Sequence, residues 1–322
     1  MVIFSMDKLK TIFIGSGEFA PPILEKLTKV EFIDILAVVT QPDKPAGRKQ
    51  IITPTPLGQY AESIGANLLK PAKIREISEE LLEKYQPDLI IVAAYGQMIP
   101  NNMLQFPRYG CLNLHGSLLP LLRGAVPVPM AILNGFAETG VTLQLMAEKL
   151  DEGDMIALHK LAIGAKDNSE TLMIKLANLA AATIEKDIQD WVERREAPIV
   201  QDNSKATYCS KEDLAKENAE IKFDTDIKLA ERMIRAFYPW PIAWFRLPDG
   251  KTLKIYKARY DELLSKNVND FHKLNKNEGF PFVMRAGKNL YLVLKNGVLD
   301  LVEIQLEGKQ KRGAAEYFFL AN

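Results

Sequence analysis

The feature that most constrains the fold is the alternation of short β-rich runs with helical patterns over the first 160 residues. The run PDLIIVAAYG, residues 87–96, is apolar without a period of two, which indicates a strand buried on both faces. A helical pattern at residues 77–85 precedes it, and another strand pattern, GCLNLH at residues 110–115, follows it. Such alternation predicts an α/β fold with a Rossmann-like, mostly parallel sheet flanked by helices.

A different architecture follows the longest helical pattern, residues 167–194. Asp167 and Glu170 stand three residues apart at its start, as in a capping box. Beyond the helix the periodicity is lost, and five short strand patterns then alternate with the turn sequences PDGK, AGKN and KNG. These patterns predict a small β-barrel or sandwich.

The loss of periodicity also gives the domain boundaries. We expect a catalytic domain at residues 6–200, a linker at residues 201–215 and a C-terminal β domain at residues 216–322. A chain of 322 residues is long enough for two such domains.

Charge and cysteine content exclude several classes of protein. The chain has 41 basic and 41 acidic residues, which argues against a nucleic-acid footprint over its whole surface, but residues 201–322 hold 21 Lys and Arg against 17 Asp and Glu. A polyanion would therefore prefer the C-terminal part slightly, although an ordinary solvated surface explains the same excess. No apolar run approaches the roughly 20 residues of a membrane span, so we expect no membrane partner. Two cysteines make neither a disulfide framework nor a metal cluster, and we expect a reducing cytosol and no bound metal.

The stretch GSGEFA, residues 15–20, matches the dinucleotide-binding fingerprint G-x-G-x-x-G/A. That fingerprint also requires an acid at the end of the second strand, where this chain has Thr40. We therefore interpret the glycines as a tight strand-to-helix turn, and an oxidoreductase as the weakest of the candidate functions.

Asn113 and His115 are the candidate chemical groups. They stand two residues apart at the end of a predicted strand and so share one side of it. Two donors aimed at one point suit a developing oxyanion, and a histidine can also exchange a proton near neutral pH. Asp151 and Asp154, in the following KLDEGDMI loop, are both candidates for the acid that orients the histidine. A structural histidine is the alternative interpretation.

Three stretches resemble bacterial methionyl-tRNA formyltransferases: NLHGSLLPLLRGAVPV, AETGVTLQLMAEKLDEGDMI and RAFYPWPIAWF. The likeness runs from about residue 6 to about residue 310. The Asn-x-His-x-Ser-Leu-Leu-Pro and Leu-Asp-x-Gly motifs are typical of folate-dependent formyltransferases in general. The loop TQPDKPAGRKQ, residues 40–50, and RAFYPWP, residues 235–241, ahead of an oligonucleotide-binding-like β-barrel, are similar to the tRNA enzymes in particular.

The resemblance implies a reaction and a set of site residues. The formyl donor would be 10-formyltetrahydrofolate, and the acceptor would be the α-amine of methionine on initiator tRNA. The implied catalytic residues are Asn113, His115 and Asp151. The implied folate contacts are Ser117, Leu118, Leu119, Pro120, Ala94 and Tyr95. The implied tRNA contacts are Lys44, Arg48 and Lys49.

One departure from the family and two alternatives stand beside this interpretation. The family's loop often carries more lysines after the arginine, whereas this chain continues RKQIITPTP, so we expect fewer phosphate contacts. The alternatives are a formyltransferase acting on a nucleotide-linked amino sugar and an RNA-binding protein with a decayed catalytic domain. We expect a monomer in a bacterial cytoplasm.

Overall fold

The computed structural model describes residues 8–317, apart from residues 48, 196, 261, 267 and 270–280. The chain divides into two compact units. The first unit comprises the described residues up to Pro127 together with Glu138–Ala162 and Met173–Tyr208, and the second comprises Val128–Ala137, Ile163–Leu172 and the described residues from Cys209 onward.

The elements up to residue 200 follow the predicted alternation. They are β1 (Leu9–Gly15), α1 (Ala20–Leu27), β2 (Ile33–Val39), β3 (Lys44–Ala46), β4 (Ile51–Thr53), α2 (Pro56–Ser63), β5 (Leu68–Leu69), α3 (Ser78–Tyr85), β6 (Leu89–Ala93), α4 (Asn101–Gln105), β7 (Cys111–His115), β8 (Arg123–Gly124), α5 (Pro127–Leu133), β9 (Glu138–Leu145), β10 (Met155–Ala162) and α6 (Ser169–Val192).

Within the described residues, seven of these strands form one sheet in the order β10-β9-β7-β6-β1-β2-β5. The pairs from β7 to β5 are parallel. All five residues of β6, at the centre, are buried, as its unbroken apolar run predicts. The prediction of a mostly parallel α/β sheet with flanking helices is confirmed.

Strand β9 is the exception, because it pairs antiparallel with β7. The connection from β9 to β10, residues 146–154, therefore starts beside the amino end of β7 and folds back against its own strand. The backbone N–H of Leu145 donates to the carbonyl of Asp154 at 2.9 Å. Only glycine fits at position 153, since a Cβ there would lie 1.7 Å from the Leu145 carbonyl oxygen.

The glycine-containing turn after β1 allows the backbones of β1 and β6 to approach each other closely. A Cβ on Gly15 would lie 2.5 Å from the carbonyl oxygen of Ala93 on β6. Thr40 is fully buried, and its hydroxyl hydrogen-bonds to that of Thr55 at 2.6 Å. Thr40 stands where a dinucleotide-binding fold has the acid that binds the ribose, and here it joins two loops instead.

Beyond residue 200 the chain forms an antiparallel β structure. Its elements are β11 (Tyr208–Cys209), α7 (Ile227–Ala236), β12 (Ala243–Arg246), β13 (Thr252–Tyr260), α8 (Glu262–Lys266), β14 (Phe282–Ala286), β15 (Asn289–Leu294), β16 (Gly297–Leu306) and β17 (Arg312–Gly313). The strands are ordered β12-β13-β16-β15-β14, with β17 on β16. Phe237, Phe245 and Leu292 are among the apolar residues of its core. The prediction of a C-terminal β domain is confirmed, and its strand pairs are antiparallel. No helix in the described part of the chain has the length and apolarity needed to span a bilayer.

The predicted capping box of α6 is wrong. The cap is Asn168, whose Oδ1 accepts from the N–H of Thr171 at 2.8 Å, while the Thr171 hydroxyl accepts from the Asn168 N–H at 3.0 Å. Asp167 instead bonds backward to the Gly164 N–H at 2.8 Å. The helix cap therefore lies one residue later than the capping-box pattern predicts, and the Asp167 side chain belongs to the preceding turn.

Asn168→Ala should therefore lower the free energy of unfolding by about 1 kcal/mol, since it removes a side-chain cap. Urea unfolding followed by circular dichroism measures the change. Glu170→Ala is the control and should cost less than half as much. A larger loss for Glu170→Ala than for Asn168→Ala would restore the capping box that the sequence pattern suggests.

Candidate active site

The site lies on one face of the sheet, on the neighbouring strands β7 and β9. Asn113 pairs with Gln144 across the two strands, and His115 pairs with Thr142. Residues two apart on a strand share a face, so these four side chains lie on one side of the sheet. His115, Thr142 and Gln144 are buried, and Asn113 is half-buried.

Asp151 reaches this face from the β9–β10 connection. Its Oδ2 accepts from the backbone N–H of Gly124 at 2.8 Å, and its Oδ1 accepts from Nε2 of Gln144 at 2.8 Å. Its backbone has a left-handed φ of 54°. These two donors fix the plane of the carboxylate. Of the two candidate acids, Asp151 meets the histidine, and Asp154 supplies a backbone carbonyl to β9.

The imidazole of His115 is oriented by a backbone group. Its Nε2 lies 2.9 Å from the carbonyl oxygen of Leu122. Because a carbonyl oxygen can only accept, Nε2 carries the hydrogen. Nδ1 therefore faces Asp151, whose Oδ2 lies 3.6 Å away.

Three kinds of group thus converge within one small volume. Asn113 Nδ2 lies 3.5 Å from Asp151 Oδ1, which is a long contact for an amide donor. The amide can therefore turn a hydrogen toward a bound oxygen atom. An amide donor, an imidazole and a held carboxylate suit attack by a neutral nucleophile on a carbonyl carbon. Among the described residues, no group of three or more His, Cys, Asp and Glu side chains is positioned to hold a metal ion.

Among the described residues, two buried side-chain polar atoms have no hydrogen-bond partner: the Tyr95 hydroxyl and Oε1 of Gln144, the residue that binds Asp151. The orientation of the Gln144 amide is settled by its bond to Asp151, since a carboxylate oxygen accepts only from the nitrogen end. A cavity of about 40 Å³ lies between Gln144, Asp151 and residues 97–99. An unpartnered buried acceptor is costly, so the site suits a bound molecule that carries N–H donors.

The segment Ser117–Pro120 forms the turn after β7. The Ser117 hydroxyl donates to the Leu121 carbonyl at 2.6 Å, and the Leu119 N–H donates to the Thr142 hydroxyl at 3.1 Å. Leu118 is half-buried and Leu119 is buried. The turn therefore uses its own polar groups to close on β9 and presents mainly apolar surface and backbone.

Ala94 and Tyr95 follow β6 directly. Ala94 is exposed with a left-handed φ of 50°, and its carbonyl accepts from the N–H of Gly17 at 3.3 Å. Tyr95 is 2% exposed. Burial raises the pKa of Tyr95 to about 12.

The predicted tRNA contacts belong to the β3–β4 hairpin. Lys44 is exposed, and its ammonium donates to Gln41 Oε1 at 2.7 Å. Lys49 is exposed in the turn, while Arg48 lies outside the described residues. Ile51 and Ile52 are 61% and 62% exposed on β4. The hairpin thus presents cations and apolar side chains together.

Sequence reasoning missed four residues that hold the predicted groups in position: Gln144, Leu122, Arg123 and Gln201. Leu122 acts through its carbonyl, which no residue pattern marks. Gln144 and Thr142 are the polar residues in the otherwise apolar run Val141–Leu145. That pattern is the signal from which Gln144 could have been predicted as a site residue. Gln201 lies in the predicted linker, 50 residues from the carbonyl of Asp151 that it binds.

Comparison with known proteins gives matches over most of the chain. A profile described as "Formyl transferase" matches residues 9–187, and one described as "Formyl transferase, C-terminal domain" matches residues 213–320. A methionyl-tRNA formyltransferase of Listeria monocytogenes is 38% identical over 305 residues, covering 94% of this chain and 92% of that protein. One from Caldanaerobacter subterraneus is 37% identical over 311 residues, covering 96% of each.

Solved structures share the fold at lower identity. An N-formyltransferase from Helicobacter canadensis, in complex with folinic acid and dTDP-3-aminofucose, has a TM-score of 0.64 and 19% identity, covering 94% of this chain and all of that one. HypX from Aquifex aeolicus, in complex with tetrahydrofolic acid, has a TM-score of 0.64 and 16% identity, covering 96% of this chain and 46% of that one.

The raised pKa of Tyr95 makes stability sensitive to alkaline pH. Because the folded state favours the neutral phenol, its stabilisation is complete below the unfolded pKa of about 10 and is lost as the pH rises toward 12. Urea midpoints measured at about pH 9 and about pH 11 should fall more steeply for the wild type than for Tyr95→Phe. The exposed Tyr260→Phe, as control, should fall like the wild type. Parallel curves for all three proteins would contradict the assignment.

Proposed function

The chain belongs to the methionyl-tRNA formyltransferase family, and from this premise we propose that it transfers the formyl group of 10-formyltetrahydrofolate to the α-amine of methionine on initiator tRNA. One observation carries the proposal. The likeness covers 94% of the chain, including both matched regions, and the residues its motifs single out meet on one face of the sheet.

The formyl carbon needs a group that accepts negative charge on its oxygen during attack. Asn113 supplies an amide N–H from β7, and its weak contact with Asp151 leaves that donor available. His115, held through Nε2 by Leu122, supplies a protonated Nδ1 toward the same volume. These two groups stabilise the developing oxyanion.

The attacking amine must lose a proton as the new C–N bond forms. The carboxylate of Asp151 accepts that proton, either directly or through water, and its two fixed donors keep it aimed at the amine. Oε1 of Gln144 is an adjacent open acceptor for a second N–H. Esterification to tRNA removes methionine's own carboxylate, so the amine is less basic and is more often unprotonated near neutral pH.

The reduced folate supplies the formyl group and a nitrogen leaving group. The Tyr95 hydroxyl and Gln144 Oε1, which have no hydrogen-bond partner among the described residues, are proposed contacts for the polar edges of the pteridine ring. Ala94 and the apolar turn Ser117–Pro120 are the further proposed contacts. His115 or Asp151 returns a proton to the departing nitrogen.

The acceptor tRNA is held by charge at the β3–β4 hairpin, through Lys44, Arg48 and Lys49. Cations at such a surface contact phosphates and set affinity without reading bases. We assign the reaction to a bacterial cytoplasm, which the bacterial sources of the relatives support. We propose a monomer, because one chain provides all three reacting groups.

The direct test is formyl transfer from 10-formyltetrahydrofolate to charged initiator tRNA, beside the same assay with a nucleotide-linked amino sugar. The proposal requires transfer to methionyl-tRNA and loss of that transfer in His115→Ala. Preference for the amino sugar, or tRNA binding without any transfer, would replace it with one of the alternatives.

Asn113→Ala should lower kcat for methionyl-tRNA by roughly 10²- to 10³-fold, as expected when one oxyanion donor is removed. Steady-state kinetics with saturating folate measures the effect. The exposed Asn134→Ala is the matched control and should retain wild-type kcat. Full activity in Asn113→Ala would remove that residue from the mechanism.

Arg48→Ala should raise the KM for tRNA, reduce its salt dependence and leave tetrahydrofolate affinity unchanged, because a phosphate contact is lost. Titrations over a range of salt concentrations separate these effects. Arg108→Ala removes an exposed arginine of the same unit and should behave as wild type. Equal losses in tRNA and folate affinity would overturn this division of roles.

A further inference from the structure

A buried arginine lies directly behind the site. Arg123 is 1% exposed, and each of its three side-chain nitrogens has a hydrogen-bond partner. Nε and Nη2 donate to Gln201 Oε1 at 3.0 and 2.8 Å, and Nη2 also donates to Asn203 Oδ1 at 2.7 Å. Nη1 lies 3.3 Å from the Tyr208 hydroxyl and 3.6 Å from a carboxylate oxygen of Glu152. A charge buried this deeply persists only when such a network satisfies it.

Gln201 connects this arginine to the loop of Asp151. Its Oε1 accepts from Arg123, while its Nε2 donates to the carbonyls of Asp151 and Gly153 at 2.8 and 2.6 Å. The side chain is 5% exposed. The oxygen of the Gln201 amide therefore binds Arg123, and its nitrogen fixes the backbone that carries the catalytic carboxylate.

Thr207 makes the equivalent connection to the histidine. Its hydroxyl accepts from the N–H of Leu122 at 2.8 Å, and its carbonyl accepts from the N–H of Arg123 at 2.8 Å. Leu122 is the residue whose carbonyl holds Nε2 of His115. Its left-handed φ of 57° directs that carbonyl and depends on neighbouring bonds to persist.

We propose that residues 201–208, here called the strap, position both His115 and Asp151 for the reaction, with Arg123 and Gln201 as positioning residues. The strap is anchored where it begins, because Ile199 and Met155 exchange two backbone hydrogen bonds of 2.8 Å. The segment expected to be a passive linker is therefore part of the catalytic framework. The inference rests on the proposed formyl transfer.

The experiment compares two amide-to-carboxylate changes in the same unit, one in the strap and one on the exposed surface of α4. Gln201→Glu retains the acceptor for Arg123 but loses both donors to the Asp151 loop. Gln105→Glu adds the same charge at an exposed position outside the strap. Each variant is assayed for kcat, for tetrahydrofolate affinity by calorimetry and for unfolding in urea.

Gln201→Glu should lower kcat by about 10- to 100-fold with tetrahydrofolate affinity and fold retained, since displaced catalytic groups cost rate rather than binding. Gln105→Glu should match the wild type. Equal kcat in the two variants, or a Gln201→Glu defect confined to stability, would overturn the proposal.

Thr207→Val provides a second readout that does not bury a charge, should Gln201→Glu fail to fold. It removes only the hydroxyl that holds Leu122, and a lowered kcat at unchanged tetrahydrofolate affinity is expected. Wild-type kcat in Thr207→Val would contradict the strap's role at His115. A wild type that transfers no formyl group to methionyl-tRNA would instead defeat the proposed function.

Discussion

The carboxylate of Asp151 is the centre on which the rest of the site depends. Two donors from different elements, the Gly124 backbone and the Gln144 side chain, fix its two oxygens at 2.8 Å each. Through them the carboxylate joins β9, β8 and its own loop at one point. Without this interaction the amide of Asn113 and the ring of His115 would face no common acceptor.

The sheet topology makes that convergence possible. Because β9 runs antiparallel to β7, the loop after β9 begins beside the amino end of β7. The loop reaches the site by folding back against β9, and Gly153 permits the close approach of the two backbones. The same reversal sets Gln144 beside Asn113. In a wholly parallel sheet, these polar groups would lie along the edge formed by the carboxyl ends of the strands. Here they lie together on one face of the sheet.

Much of this could be predicted from the sequence. The spacing of Asn113 and His115 predicted that both side chains lie on one side of the strand. The strand and helix patterns predicted the α/β sheet and a C-terminal β domain. What escaped prediction depends on long-range packing. Leu122 acts through its backbone, Gln201 contacts a loop 50 residues away, and the cap of α6 shifted by one residue to Asn168 because the turn at Gly164 engages Asp167. Residue patterns over a few neighbouring positions do not show which distant groups will come into contact.

A crystal structure with a stable formyl-donor analogue bound would test the central claim most directly. The account predicts a formyl oxygen roughly 3 Å from Asn113 Nδ2, with the Asp151 carboxylate on the side from which the amine approaches. A formyl group bound away from β7, or an Asp151 side chain turned from it, would contradict the account.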